Sequence, residues 1–98
     1  MMCVFIYDIS DNRVRARIAD LCMDYGMERI QYSAFVGDLS AAHQRELMRR
    51  AIAQLGKRTG RLHLYPIGER EWALRREHRV EQATRALEGG EENNVSRR

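Results

Sequence analysis

Met2-Cys3-Val4-Phe5-Ile6-Tyr7-Asp8-Ile9-Ser10-Asp11-Asn12 is the stretch that decides the fold. From Met2 to Tyr7 both odd and even positions are apolar, the pattern of a central strand covered on both faces. The run ends in a carboxylate, and a Ser-Asp-Asn cluster then opens a segment carrying Arg13, Arg15 and Arg17. An Asp at the C-terminal end of a strand, beside a helix N-terminus, can hold a divalent metal near a bound phosphate. The neighbouring arginines point to a nucleic acid as the source of that phosphate.

Outward from this stretch, Asn12 to Tyr25 predicts an amphipathic helix. Val14, Ile18, Leu21, Cys22 and Tyr25 share one stripe at helical spacing. Asp11 or Asn12 is its expected N-cap, and Gly26 fits the position just past its end. Arg15 and Arg17 flank the stripe on opposite sides, so one of them is expected to be structural. Arg29 to Leu39 reads as extended, either one bent strand or two short strands around Ser33. Ser40 to Leu55 predicts a second helix, capped by Ser40 and stopped by Gly56, with Leu47, Met48, Ala51, Ile52 and Leu55 as its buried stripe. Gly60 to Ile67 predicts another strand, and Pro66 places it at an edge or a strand end.

This order of elements is a split βαβ: an α+β, ferredoxin-like βαββαβ sandwich over residues 1–70. Residues 71–88 form a C-terminal extension, expected to be helical or a short strand over Trp72 to Leu74 followed by a helix. Residues 89–98 offer almost nothing apolar and are expected to be disordered. In such a sandwich the helices cover one sheet face only, yet the first strand is apolar on both. A homodimer through the open face is the simplest cover.

With 98 residues the chain allows one domain, and its core has a thin margin that burial against a second copy would widen. The formal net charge is +3. Among the basic residues Lys57 is the only lysine. The planar fork of Arg suits phosphate oxygens, although a solvated surface is the default for any single Arg. Cys3 and Cys22 belong to no CxxC or zinc-type cluster and read as reduced, buried thiols of a cytoplasmic protein. No basic leader precedes the first strand, and no apolar stretch is long enough to span a bilayer.

Asp8 is the leading chemical candidate. Its carboxylate is expected to be partly desolvated unless a cation pairs with it; the rival reading is a helix cap or an ion pair. One Asp does not anchor Mg²⁺ alone, but two copies brought together by a dimer would. Tyr7 and Phe35 are aromatic candidates whose alternative is the core. Ser33 and Arg29 are candidate phosphate contacts. His43, His63 and His78 fall in separate elements and read as surface residues. There is no glycine-rich phosphate loop and no nucleophile arrangement.

Together, Tyr7-Asp8-Ile9-Ser10, Arg15-Ala16-Arg17, Tyr25 to Gly37 and Leu64-Tyr65-Pro66-Ile67 resemble the second of the universal CRISPR-associated proteins, the small ferredoxin-like partner of the CRISPR integrase. The resemblance covers roughly residues 2 to 70. It implies that Asp8 of both subunits holds Mg²⁺ or Mn²⁺ across a homodimer. It implies that Tyr7, Arg15, Arg17, Arg29 and Phe35 serve nucleic-acid binding; Ser33 joins them as a candidate through its hydroxyl alone. The implied activity is metal-dependent cleavage of RNA or duplex DNA; the alternative within the family is a non-catalytic DNA-binding bridge between integrase dimers. A small ferredoxin-like toxin or regulatory module, with Asp8 as a mere cap, is the rival outside it. The family ends in a short strand that crosses to the partner, and this chain departs from that pattern after Arg70.

Overall fold

A computed structural model describes residues 1–81. The elements are β1 (Met2–Ile9), α1 (Asn12–Asp24), β2 (Glu28–Gln31), β3 (Ala34–Asp38), α2 (Ala41–Leu55), β4 (Gly60–Ile67) and α3 (Glu69–Ala73). Every neighbouring strand pair is antiparallel, in the order β2-β3-β1-β4. This is the ferredoxin-like α+β sandwich. β1 lies inside the sheet, as its apolar run requires, and β4, with Pro66, forms an edge.

Strand alternation divides β1 between two environments. Cys3, Phe5, Tyr7 and Ile9 are buried in one core with Val14, Ile18, Leu21, Cys22, Leu47 and Ala51 of α1 and α2. Val4 is half-buried, while Ile6 and Asp8 are exposed on the other face. Register places Tyr65 beside Val4, His63 beside Ile6 and Arg61 beside Asp8 on that same open face. One chain therefore covers one side of β1 only.

The helix boundaries follow from their caps. Asp11 is the N-cap of α1: its Oδ1 accepts from the backbone N–H of Arg13 at 2.9 Å and of Val14 at 3.1 Å. Arg58, from the turn before β4, donates to the other carboxylate oxygen at 3.0 Å. Gly26, at φ 81°, adopts the left-handed backbone that ends the helical turn. Ser40 caps α2 through His43 N–H at 3.1 Å. The buried stripe of α2 is narrower than its periodicity predicts. Leu47 and Ala51 are buried, but Ile52 is 56 % exposed. Ile52 lines an outer groove with Arg45, Met48, Arg49 and Leu64, past the edge strand, where no further strand lies among the described residues to cover it.

The extended region after Met27 is two strands, joined at Tyr32 and Ser33. The pairing Arg29↔Phe35 is followed by Gln31↔Ala34, so a bulge twists β2 as it enters the turn. The extension opens as a short helix, not the strand considered for Trp72 to Leu74. Trp72 N–H reaches Gly68 O at 2.8 Å and Leu74 N–H reaches Arg70 O at 3.2 Å. Residues 75–81 are neither helix nor strand. The run Arg75-Arg76-Glu77-His78-Arg79 is exposed throughout and offers no apolar stripe for a helix to bury. This segment and Trp72 form one wall of a groove whose other wall includes Met2, Glu28, Val36 and Asp38. The remainder of the expected C-terminal helix and the tail from Gly89 lie outside the described residues.

Candidate nucleic-acid interface

Asp8 is the last polar residue of β1 before the chain turns into α1, and alternation aims it at the open face. Its side chain is exposed in the single chain, so the expected desolvation is absent there. Among the described residues it has no hydrogen bond and no ion pair, and the cap of α1 is Asp11. The reading of Asp8 as a helix cap is therefore overturned. Among the described residues no group of three or more His, Cys, Asp or Glu side chains is placed to hold a metal ion. One chain thus supplies one free carboxylate, which is an incomplete site for a hard cation.

The arginines gather elsewhere. Tyr7, Asn12, Arg15, Ala16, Arg29 and Tyr32 line a cleft of ≈ 400 Å³ on the helix-bearing side. Arg15 is tied to the loop that leads from β1 into α1. Its Nη1 donates to Ile9 O at 2.8 Å and Ser10 O at 3.1 Å, and its Nη2 donates to Asn12 Oδ1. Its Nε is buried and has no partner. Arg15 is thus the structural member of the Arg15/Arg17 pair, while Arg17 projects from α1 exposed and without a hydrogen bond or ion pair among the described residues.

Arg29 stands on β2 with its guanidinium 5.0 Å from the Phe35 ring centre and 5.9 Å from that of Tyr32. Phe35 is fully buried, and Tyr7 stacks on it with ring centres 6.4 Å apart. Direct contact of Phe35 with a nucleic acid is accordingly corrected: the ring is sealed in the core and positions Arg29. Tyr7 is also core, but it borders the cleft. Burial pushes its phenol pKa up, and the adjacent Arg29 offsets part of that rise. Ser33 is half-buried in the turn, and its carbonyl accepts from Tyr7 N–H at 3.1 Å, so its backbone joins the turn to β1.

Tyr32 was not among the residues the sequence singled out. It is 70 % exposed, with Arg15 at 5.6 Å and Arg29 at 5.9 Å from its ring centre. The available signal was an aromatic residue beside Ser33, where the extended region could bend, in a segment that Arg29 opens. The two thiols supply no nucleophile, since burial pushes Cys22 up to about 12 and raises Cys3 as well.

Comparison with known proteins gives a consistent result. The family model for CRISPR associated protein Cas2 matches residues 1–75. A CRISPR-associated endoribonuclease Cas2 of Chloroflexus aurantiacus is 45 % identical over 76 residues, covering 78 % of this chain and 89 % of that protein. A CRISPR-associated endonuclease Cas1/endonuclease Cas2 fusion of Thermoproteus tenax is 48 % identical over 50 residues, which is 51 % of this chain and 19 % of the fusion. The crystal structure of Streptococcus pyogenes Cas2 superposes with a TM-score of 0.70 at 25 % identity, over 82 % of this chain and 100 % of that one.

Proposed function

Because this chain belongs to the CRISPR-associated protein Cas2 family, we propose that it hydrolyses phosphodiester bonds in RNA or duplex DNA during spacer acquisition. The observation that carries the reading is Asp8: an exposed carboxylate, unpaired among the described residues, at the end of the central strand, on a face bordered by Ile6 and Tyr65. Two copies packed through that face would bring two such carboxylates together. The paired Asp8 side chains are the proposed ligands of Mg²⁺ or Mn²⁺, which would supply an activated water and offset charge on the phosphate. Arg17 and Arg29 would hold the backbone of the substrate, and Arg15 would keep the loop after Asp8 in place. Contacts of this kind select shape and charge, with little sequence preference.

The Cas1/Cas2 fusion relative supports the CRISPR integrase as the proposed partner. Among the described residues no helix is long and apolar enough to cross a membrane, and with two free buried thiols the proposed location is the cytoplasm. Family membership removes the unrelated toxin or regulatory module. A second reading, the non-catalytic scaffold, is favoured by one observation: Asp8 and the arginine cleft lie on opposite sides of the sheet. The test is cleavage by purified protein of single-stranded RNA and of duplex DNA, with Mg²⁺, with Mn²⁺ and with chelator. Metal-dependent products that vanish in Asp8→Asn support hydrolysis. Spacer acquisition by Asp8→Asn at the wild-type rate, without cleavage in any condition, supports the scaffold.

A further inference from the structure

We propose that Tyr32 is a stacking platform for one unpaired nucleobase of a single-stranded nucleic acid, with the adjoining cleft taking the sugar and phosphate. The inference rests on the nucleic-acid reading above and narrows its substrate to one with an unstacked base at this point. An exposed tyrosine alone would carry nothing. Here the ring sits at the tip of the β2–β3 turn, 70 % exposed, with guanidiniums 5.6 Å and 5.9 Å from its centre. It borders a ≈ 400 Å³ cleft whose other walls include Asn12, Arg29 and Tyr7.

The division of labour follows from the hydrogen bonds already made. Both terminal nitrogens of Arg15 are committed to Ile9, Ser10 and Asn12. Arg15 therefore steadies the Tyr32 ring and contributes fixed positive charge. Arg29 has no carboxylate partner among the described residues, so the donors it does not turn to the Tyr7 hydroxyl are available to a phosphate. A base stacked on an aromatic ring beside such cations is held through its π-face, which every base offers. Bases inside a duplex already have both faces stacked, so the platform would engage single strands, bulges and frayed ends.

The test is a binding titration with a short single strand carrying a fluorescent adenine analogue, alongside a blunt duplex of the same sequence. Wild type, Tyr32→Phe and Tyr32→Leu are compared, in RNA and DNA versions of each strand. The expected result is quenching of the analogue by wild type and Tyr32→Phe. Single-strand affinity should fall roughly 5- to 150-fold in Tyr32→Leu, with blunt-duplex affinity unchanged. Equal single-strand affinity in all three proteins, while duplex binding and metal-dependent cleavage persist, overturns the platform alone. A parallel loss of single-strand and duplex affinity in Tyr32→Leu also overturns it, because the ring would then serve general binding. Binding of neither nucleic acid by the wild type overturns both the platform and the nuclease reading. Because Tyr32 is exposed, all three proteins are expected to melt together, which circular dichroism checks.

Discussion

Tyr7 and Asp8 are adjacent in the chain and stand on opposite faces of the sheet: Tyr7 is 3 % exposed beneath the helices, and Asp8 projects from the uncovered side. The proposed chemistry and the arginine cleft are thereby separated by the thickness of one sheet. Substitution of Asp8 should therefore leave binding in the cleft intact.

Asp8→Asn is expected to remove metal-dependent cleavage, by roughly 100-fold or more, because a hard cation loses a charged ligand. Affinity for single strands should not fall. Thermal stability should change by less than about 0.5 kcal/mol, as for other surface changes. Parallel cleavage, binding and melting measurements on one preparation decide the matter. A loss of fold would show that Asp8 holds the strand end, which its lack of partners argues against.

Ile6→Glu is expected to dissociate the proposed homodimer without unfolding the chain. Ile6 is 39 % exposed in the middle of the open face, between His63 on β4 and Ala34 on β3. A charge there is hydrated in the monomer and desolvated in the dimer, so the dissociation constant should rise by about 100-fold or more. Sedimentation equilibrium reads the change. A variant as dimeric as the wild type would place the interface on another surface.

Gly60→Ala is expected to destabilise the fold by roughly 1–3 kcal/mol. A Cβ at this position would meet Ile9 Cγ1 at 2.9 Å, Leu55 Cδ1 at 3.1 Å and the Asp8 carbonyl at 3.2 Å. The last is backbone and cannot swing aside. Urea denaturation with an unchanged m-value would confirm a stability effect. Because the clash presses on β1 at Asp8, cleavage should fall along with stability.

Asp11 links stability to acid pH. Its carboxyl is held below the ordinary range, first by the N–H of Val14, then by that of Arg13 and by Arg58. A depressed native pKa contributes stability that is fully present above the unfolded-state value and is lost as pH falls through the native one. Asp11→Asn should therefore melt below the wild type at neutral pH. The gap should close in acid, beneath the ordinary carboxylate range, where both side chains are neutral. A gap that stays constant through the acid range would mean that hydrogen-bond geometry alone, not charge, makes the cap.

Much of this was legible before any tertiary structure. The apolar run ending at Asp8 set the central strand. Ser40 and Gly56 bounded the second helix, and the strand from Gly60 to Ile67 stands as its pattern predicted. These features depend on neighbours a few residues away: a cap, a turn, a repeat of apolar side chains.

Other features depended on which segments meet, and local pattern carries no information about that. Asp11, which caps α1 through the nearby N–H groups of Arg13 and Val14, also holds Arg58 from far along the chain. Ile52 fits the periodicity of a buried stripe, yet β4 is an edge strand, so no further strand among the described residues covers that side chain. Phe35 was readable as core, dimer contact or stacking platform; packing in the core beneath the helices buried the ring, with the Arg29 guanidinium 5.0 Å from its centre. Tyr32 became a candidate only when the turn brought its exposed ring close to both Arg15 and Arg29, at 5.6 Å and 5.9 Å. The sequence by itself determined the order of strands and helices from Met2 to Ile67 and the ends of the two long helices, because backbone geometry repeats locally. The tertiary structure decided which faces touch, because burial and pairing join residues that are distant in the chain.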